Sequence, residues 1–151
     1  MTRRLFVLVA AVALAVTLTA SGASAAALKV PLVGPEANVF CVDVEPADER
    51  QSPGPGFVIF NLGEDGVVHA NVRLKRAQPN TTYVVRLIQG TPAGTDCQTV
   101  DAEFTTNMRG NGGVTVKEPV QADAVAAQVI IDTERLIQTP TYRGSESYPL
   151  S

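Results

Sequence analysis

Residues 68–75 read VHANVRLK, and this stretch decides the fold class. Apolar Val68, Ala70, Val72 and Leu74 alternate strictly with polar or charged neighbours. A period of two places one set of side chains on each face of a β-strand, whereas a helix would need a period of about 3.6. The stretch therefore predicts a half-buried strand of an antiparallel sheet.

Apolar runs of strand length recur on both sides of this stretch. They cover residues 29–33, 39–44, 57–62, 82–89, 99–105, 113–118 and 125–132, with a short further run at 135–139. Segments rich in glycine, proline, asparagine and aspartate separate them, at 46–49, 52–56, 64–66, 78–80, 90–94 and 109–113. Short strands with dense turn signals are typical of an antiparallel sandwich or barrel, so we expect one all-β domain of about seven to nine strands.

Residues 107–113, NMRGNGG, invite comparison with a calcium-binding loop. The alternating aspartates of such a loop are absent, and Arg109 lies in the middle. Turn chemistry instead predicts a glycine-assisted hairpin between Phe104 and Val114.

Residues 79–83, PNTTY, resemble the tyrosine corner of fibronectin type III and related immunoglobulin-like domains. Pro79, Thr81 and Tyr83 match the corner's Pro-x-Thr-x-Tyr pattern, while Ala77 stands where the family usually has leucine. No cysteine follows Tyr83 two residues later, so the immunoglobulin disulfide pattern is absent. The resemblance implies an antiparallel Greek-key sandwich and no particular activity.

The N-terminus has the pattern of a secretory signal peptide. Arg3 and Arg4 precede an apolar run that ends near Ala20, and the small residues Ala23 and Ala25 form an A-x-A site. The apolar run is short for a membrane span, and no basic stop-transfer cluster follows it. We expect cleavage after Ala25 and a secreted protein without a stable membrane anchor, typical of a small bacterial extracellular protein.

The two cysteines, Cys41 and Cys97, both follow the predicted cleavage site. Because the exported environment is oxidising, we expect them to form one disulfide. On the chain-entropy model, closing a loop of about 57 residues stabilises the fold by roughly 4 kcal/mol. Cys41 alternates with the apolar face of its predicted strand, which places the bridge on the outside of the sheet.

Charge and composition exclude several classes of function. Removing Arg3 and Arg4 with the leader would change the formal net charge from −3 to −5, which gives no electrostatic reason to bind nucleic acid. A single histidine cannot build a polyhistidine metal centre, and the lack of tryptophan removes the usual platform for stacking sugars. We therefore expect no cofactor and no bound metal.

His69 is the one residue that invites a catalytic interpretation. It lies on the polar side of the 68–75 strand, and no G-x-S-x-G elbow supplies a serine nucleophile. The carboxylates are numerous, but no spacing forces two of them across a cleft. The ten considered are Glu45, Asp48, Glu49, Glu64, Asp65, Asp101, Glu103, Asp123, Asp132 and Glu134. We accordingly predict no catalytic residues.

Three hypotheses of function remain open from the sequence. The first is a secreted, non-enzymatic binding or structural module whose partner is an extracellular protein or cell-surface ligand. The second is an inhibitor that presents residues 50–56 or 90–96 to an extracellular enzyme. The third is a hydrolase that uses His69 with nearby carboxylates. In all three, residues 1–25 are the leader, 26–138 the β-sandwich domain and 139–151 a tail.

Overall fold

Nine β-strands run through the part of the chain that the computed structural model describes, namely residues 26–34, 53–92, 94–133 and 142–150. Their bounds are β1 Leu28–Val33, β2 Pro53–Leu62, β3 Val67–Leu74, β4 Thr82–Gly90, β5 Ala102–Thr105, β6 Gly112–Pro119, β7 Ala126–Asp132, β8 Tyr142–Gly144 and β9 Tyr148–Pro149. The signal peptide, Cys41 and the strands expected at 39–44 and 135–139 lie outside the described residues.

The strands form one antiparallel sheet in the order β5-β4-β7-β8-β1-β2-β3-β6, with β9 paired to β7. The strands at the two ends of this path, β5 and β6, follow each other in the chain and are joined by a short turn. The sheet therefore curls back on itself into a nearly closed, barrel-like structure. Within the described residues there are strands and no helix, so the expectation of an all-β fold is confirmed.

Two of the longest ladders connect strands that are distant in sequence. β3 pairs with β6 along its whole length, from Val67 opposite Pro119 to Leu74 opposite Gly112. β4 pairs with β7 from Val84 opposite Asp132 to Gly90 opposite Ala126. These crossovers place the 68–75 strand beside a partner that its own sequence does not reveal.

The core fills the inside of the curled sheet. The alternating apolar residues of β3 are all inside it, and Val68, Ala70 and Val72 are fully buried. Phe60 stacks on Tyr148 with ring centroids 5.3 Å apart, and this pair joins β2 to β9 across the core. The period of two in residues 68–75 therefore predicted correctly which face of β3 is buried.

β4 and β7 depart from that alternation because both of their faces are buried. Ile130 and Ile131 are each fully shielded from solvent, and so is the charged Arg86. The polar side chains of Gln128 and Asp132 in β7 are buried as well. A strand buried on both faces carries a continuous apolar run, which explains the sequence VII at 129–131.

β2 begins at Pro53, four residues earlier than the strand expected at 57–62. The expectation that residues 52–56 separate two strands is wrong, because Gly54 and Gly56 allow β2 to lie close to the backbones of its neighbouring strands. A Cβ at Gly56 would overlap the backbone carbonyl oxygen of Arg73, so only glycine allows β2 and β3 to approach at this point. Pro55 also contributes its carbonyl oxygen, which accepts a hydrogen bond from the Lys75 amide at 2.6 Å.

The C-terminal segment contributes strands to the sheet. β8 lies between β7 and β1, where Arg143 is opposite both Ile130 and Val33. β9 pairs with β7, where Tyr148 is opposite Ala127. Residues 142–144 and 148–149 therefore belong to the sheet, although they fall in the segment 139–151 that is expected to be a tail. No helix of the described residues is long and apolar enough to cross a membrane.

Candidate functional site

Two surfaces of the barrel carry grouped polar or charged side chains. The first, which we call the open face, consists of the outward-pointing residues of β1, β2, β3 and β6. The second, which we call the seam cavity, lies between β4 and the end of β6. It is lined by Leu87, Asp96, Thr99, Asp101, Glu118 and Gln121.

Strand register builds the open face in three rows. One row runs Pro31, Phe57, Arg73 and Gly113; the next runs Lys29, Ile59, Asn71 and Thr115; the third runs Asn61, His69 and Lys117. These residues are exposed or half-buried, and none of them is a carboxylate.

The centre of the open face is apolar and its surroundings are cationic. Ile59 is 37% exposed, and the Phe57 ring lies beside it on the same strand. The Lys29 ammonium lies 4.2 Å from the centroid of the Phe57 ring, and the Lys75 ammonium lies 5.6 Å from it. Cation–π contacts of this kind hold both ammonium groups close to the aromatic ring at the surface.

His69 lies within the open face and away from the acidic groups of the cavity. Its neighbours across the strands are Asn61 and Lys117. Glu118 follows Lys117 in β6, but it stands opposite the buried Val68 and so points to the other face of the sheet. The structure therefore does not bring His69 together with the Glu118 carboxylate, which a general acid–base pair would require.

The seam cavity gathers three carboxylates in about 180 Å³. Burial raises the pKa of Glu118 to about 7, and the hydrogen bond and negative charge of the adjacent Asp101 act in the same direction. Asp96 has a lowered pKa because its carboxylate accepts hydrogen bonds from the Thr99 hydroxyl and the Gln98 amide. The cavity is smaller than the roughly 300–1,000 Å³ of typical small-molecule sites.

Asp101 and Glu118 each accept a hydrogen bond from β4. Asp101 Oδ2 accepts a hydrogen bond from the Leu87 amide at 2.6 Å, where β5 no longer covers the edge of β4. Glu118 Oε2 accepts a hydrogen bond from Gln89 Nε2 at 3.2 Å. In the described residues, no group of three or more histidine, cysteine, aspartate or glutamate side chains is arranged to hold a metal ion.

The tyrosine-corner residues lie at the start of β4. Thr81 donates its hydroxyl to the Pro79 carbonyl oxygen at 3.0 Å, and Asn80 has a positive φ of 49°. Tyr83 is buried, and the centroid of its ring lies 6.1 Å from that of Tyr142 on β8. The assignment of residues 79–83 as a tyrosine corner stays a prediction.

Cys97 lies in the segment that leads from β4 to β5 and is half-buried. None of the described residues is a free cysteine. Cys41 lies outside the described residues, so the pairing of the two cysteines stays a prediction.

The sequence draws attention to His69 and Asp101 but gives no local sign of a role for Glu118 or for the four cations of the open face, namely Lys29, Arg73, Lys75 and Lys117. The alternation in each strand shows which side chains point outward. It does not show that β3 adjoins β6, and only that pairing joins Arg73 and Lys117 into one surface.

Comparison with known proteins identifies no relative. No family model matches the chain, and neither the curated proteins nor the solved structures contain a match.

Proposed function

We propose that this chain is a secreted, non-enzymatic binding module that engages an acidic protein surface through the open face. The observation that carries the proposal is the composition of that face. Lys29, Arg73, Lys75 and Lys117 are exposed on or beside its rows, and no carboxylate shares the rows with them.

The charge of the open face opposes that of the whole chain. The chain has a formal net charge of −3, so a uniform distribution would make this face neutral or acidic. Clustered cations on an acidic protein create a local positive potential, which steers a complementary partner and disfavours cationic ones.

The apolar centre favours a protein as the partner over an anionic polysaccharide. Protein interfaces have an aromatic or aliphatic centre with a polar and charged rim. Phe57 and Ile59 provide such a centre, and the lysines around them provide the rim.

The two alternative functions have less support. Residues 53–56 belong to β2, so they are not presented as a protruding inhibitory loop. The hydrolase hypothesis needs His69 beside a carboxylate, whereas its cross-strand neighbours are Asn61 and Lys117.

A Greek-key arrangement and one disulfide complete the proposal. The order β3-β6-β5-β4 around the barrel would be a Greek key if β5 and β6 count as neighbours, and the turn between them supports this.

We propose that Cys41 and Cys97 are bridged. Mass spectrometry of the secreted protein, with and without reduction, should then show a mass increase of about 2 Da on reduction, because each sulfur gains one hydrogen atom; an unchanged mass would exclude the bridge.

Site-specific photo-crosslinking tests the proposed binding surface. A photo-reactive amino acid at Asn61 on the open face is expected to capture a protein from the medium of the producing cells. The same group at Met108, which is 82% exposed in the β5–β6 turn, serves as the matched control. The proposal is supported if the probe at Asn61 captures a protein and raised salt abolishes that capture. Equal capture from both positions, or tighter binding to heparin than to the captured protein, would refute it.

A further inference from the structure

The barrel has a seam between β5 and β6, where no backbone ladder joins the two strands in the described residues. Among the strands that the structure describes, β5 pairs only with β4 and β6 pairs only with β3. Near the turn, Asn107 closes the seam because its side-chain oxygen accepts hydrogen bonds from the Arg109 and Asn111 amides at 2.8 and 3.1 Å. β5 begins only at Ala102, so the opposite end of the seam has no such closure.

Side chains close that opposite end. Gln89 of β4 donates from Nε2 to the Pro119 carbonyl oxygen at 3.0 Å and to Glu118 at 3.2 Å. Its Oε1 accepts a hydrogen bond from the Gln121 amide at 2.9 Å. Asp101 is held to β4 on both sides, since its amide donates to the Val85 carbonyl oxygen at 3.0 Å. The carboxyl groups of Asp101 and Glu118, each held to β4 by these bonds, line the same cavity across the seam.

A direct link between these two carboxyl groups would depend on a proton. Two carboxyl groups can form a hydrogen bond only if one of them is protonated, and two carboxylates in contact repel each other. The charged groups around the pair reinforce this requirement. Asp96 adds a second negative charge near Glu118, while Arg86 of β4 lies near Asp101 and Asp132.

We propose that the seam is a proton-controlled latch, in which one proton shared by Asp101 and Glu118 holds the end of β6 against β4 and its loss opens the seam cavity. Above the pH at which the pair becomes fully ionised, the repulsion between the carboxylates favours separation. The hydrogen bonds of Gln89 to Pro119 and Gln121 then break more often, while the ladders β1–β2 and β2–β3 are unaffected. The pKa of about 7 for Glu118 places the change near neutral pH.

Native-state hydrogen exchange, expressed as protection factors, tests the latch. Between pH 5.5 and 8.5 we expect protection of the Gln121 amide to fall about tenfold, as one unit of pKa shift would produce. The Val58 amide in the β1–β2–β3 ladders exchanges only through global unfolding, so its protection should stay well above that of the Gln121 amide at both pH values and follow the free energy of unfolding. Equal protection of the Gln121 and Val58 amides at both pH values would show that the seam opens only with global unfolding and would overturn the proposal.

Variants separate the latch from a general effect of charge. Glu118→Gln replaces the shared proton with an amide that donates to Asp101 at every pH, so its Gln121 amide should stay protected at pH 8.5. Glu64→Gln removes one negative charge from the exposed β2–β3 turn and should behave like the wild type. Asp101→Asn should also remove the pH dependence while it retains an oxygen for the Leu87 amide. Wild-type behaviour in both Glu118→Gln and Asp101→Asn would exclude the latch.

Discussion

At the scale of single residues, Glu118 has the largest electrostatic consequence that the structure shows. Its folded-state pKa of about 7 lies above the ordinary value of 4.5, so the folded chain binds this proton more tightly than the unfolded chain does. The contribution of the protonated group is fully present below the unfolded pKa. It is lost as the pH rises through the folded pKa.

We therefore predict that wild-type stability decreases between about pH 5 and pH 8 and that Glu118→Gln flattens this dependence. The difference should be roughly 1–2 kcal/mol, reduced from the full linkage value because the carboxyl is only half-buried and solvent screens it. Urea midpoints at both pH values measure it, with Glu64→Gln as the control. Parallel pH profiles for wild type and Glu118→Gln would contradict the prediction.

Gly110 and Gly66 form a matched pair for testing close backbone approach. Both have a φ of 71°, but a Cβ at Gly110 would overlap the Ala77 carbonyl oxygen, whereas a Cβ at Gly66 would meet nothing within 4 Å. Alanine at Gly66 should cost about 1 kcal/mol of backbone strain. Alanine at Gly110 should cost about 1–3 kcal/mol more, because the turn must move. Equal losses in the free energy of unfolding would show that the Ala77 contact is unimportant.

At the scale of secondary-structure elements, the short strand β9 stabilises the barrel through one aromatic side chain. Tyr148 is 1% exposed and stacks on Phe60, while its hydroxyl is buried with no hydrogen-bond partner. Tyr148→Ala should destabilise the protein by about 3–5 kcal/mol. Tyr148→Phe should be neutral or stabilising by up to about 1 kcal/mol, because it removes an unsatisfied polar group. Thermal unfolding of the two variants checks both values; a large loss in Tyr148→Phe would reveal a partner for the hydroxyl.

The sequence predicts strands well where one face is solvated and less well elsewhere. Residues 68–75 show their buried face directly because β3 is open on its other side. β4 and β7 are buried on both faces, so alternation cannot identify the outward residues Arg86 and Gln128. β8 has three residues, too few for any periodic pattern, and its place between β7 and β1 depends on long-range pairing.

The candidate sites were harder to predict than the strands because they, too, depend on pairing between strands that are distant in sequence. Glu118 lies one residue from Lys117, yet the two side chains serve opposite faces of β6 and different surfaces. The open face needs the register of four strands, and the seam cavity needs β6 to end beside β4. Neither neighbour relation is local in sequence.

At the scale of the whole molecule, the structure separates two surfaces of opposite charge. The cations of the open face lie on one side of β6, and the acidic seam cavity lies at its other face and end. A proton released from Glu118 would change the cavity without altering the charge of the open face. Binding through the open face should consequently be insensitive to Glu118→Gln, which separates the proposed function from the proposed latch.

The dissociation constant of the crosslinked partner tests the proposed function most directly. The partner would be identified from the Asn61 capture, purified, and titrated with wild-type protein and with the double variant Lys29→Glu/Lys117→Glu. The matched control is Arg109→Glu, which reverses an exposed charge in the β5–β6 turn. We predict at least about tenfold weaker binding for the double variant and unchanged binding for Arg109→Glu. Equal affinity of wild type and double variant would contradict the assignment of the open face as the binding surface.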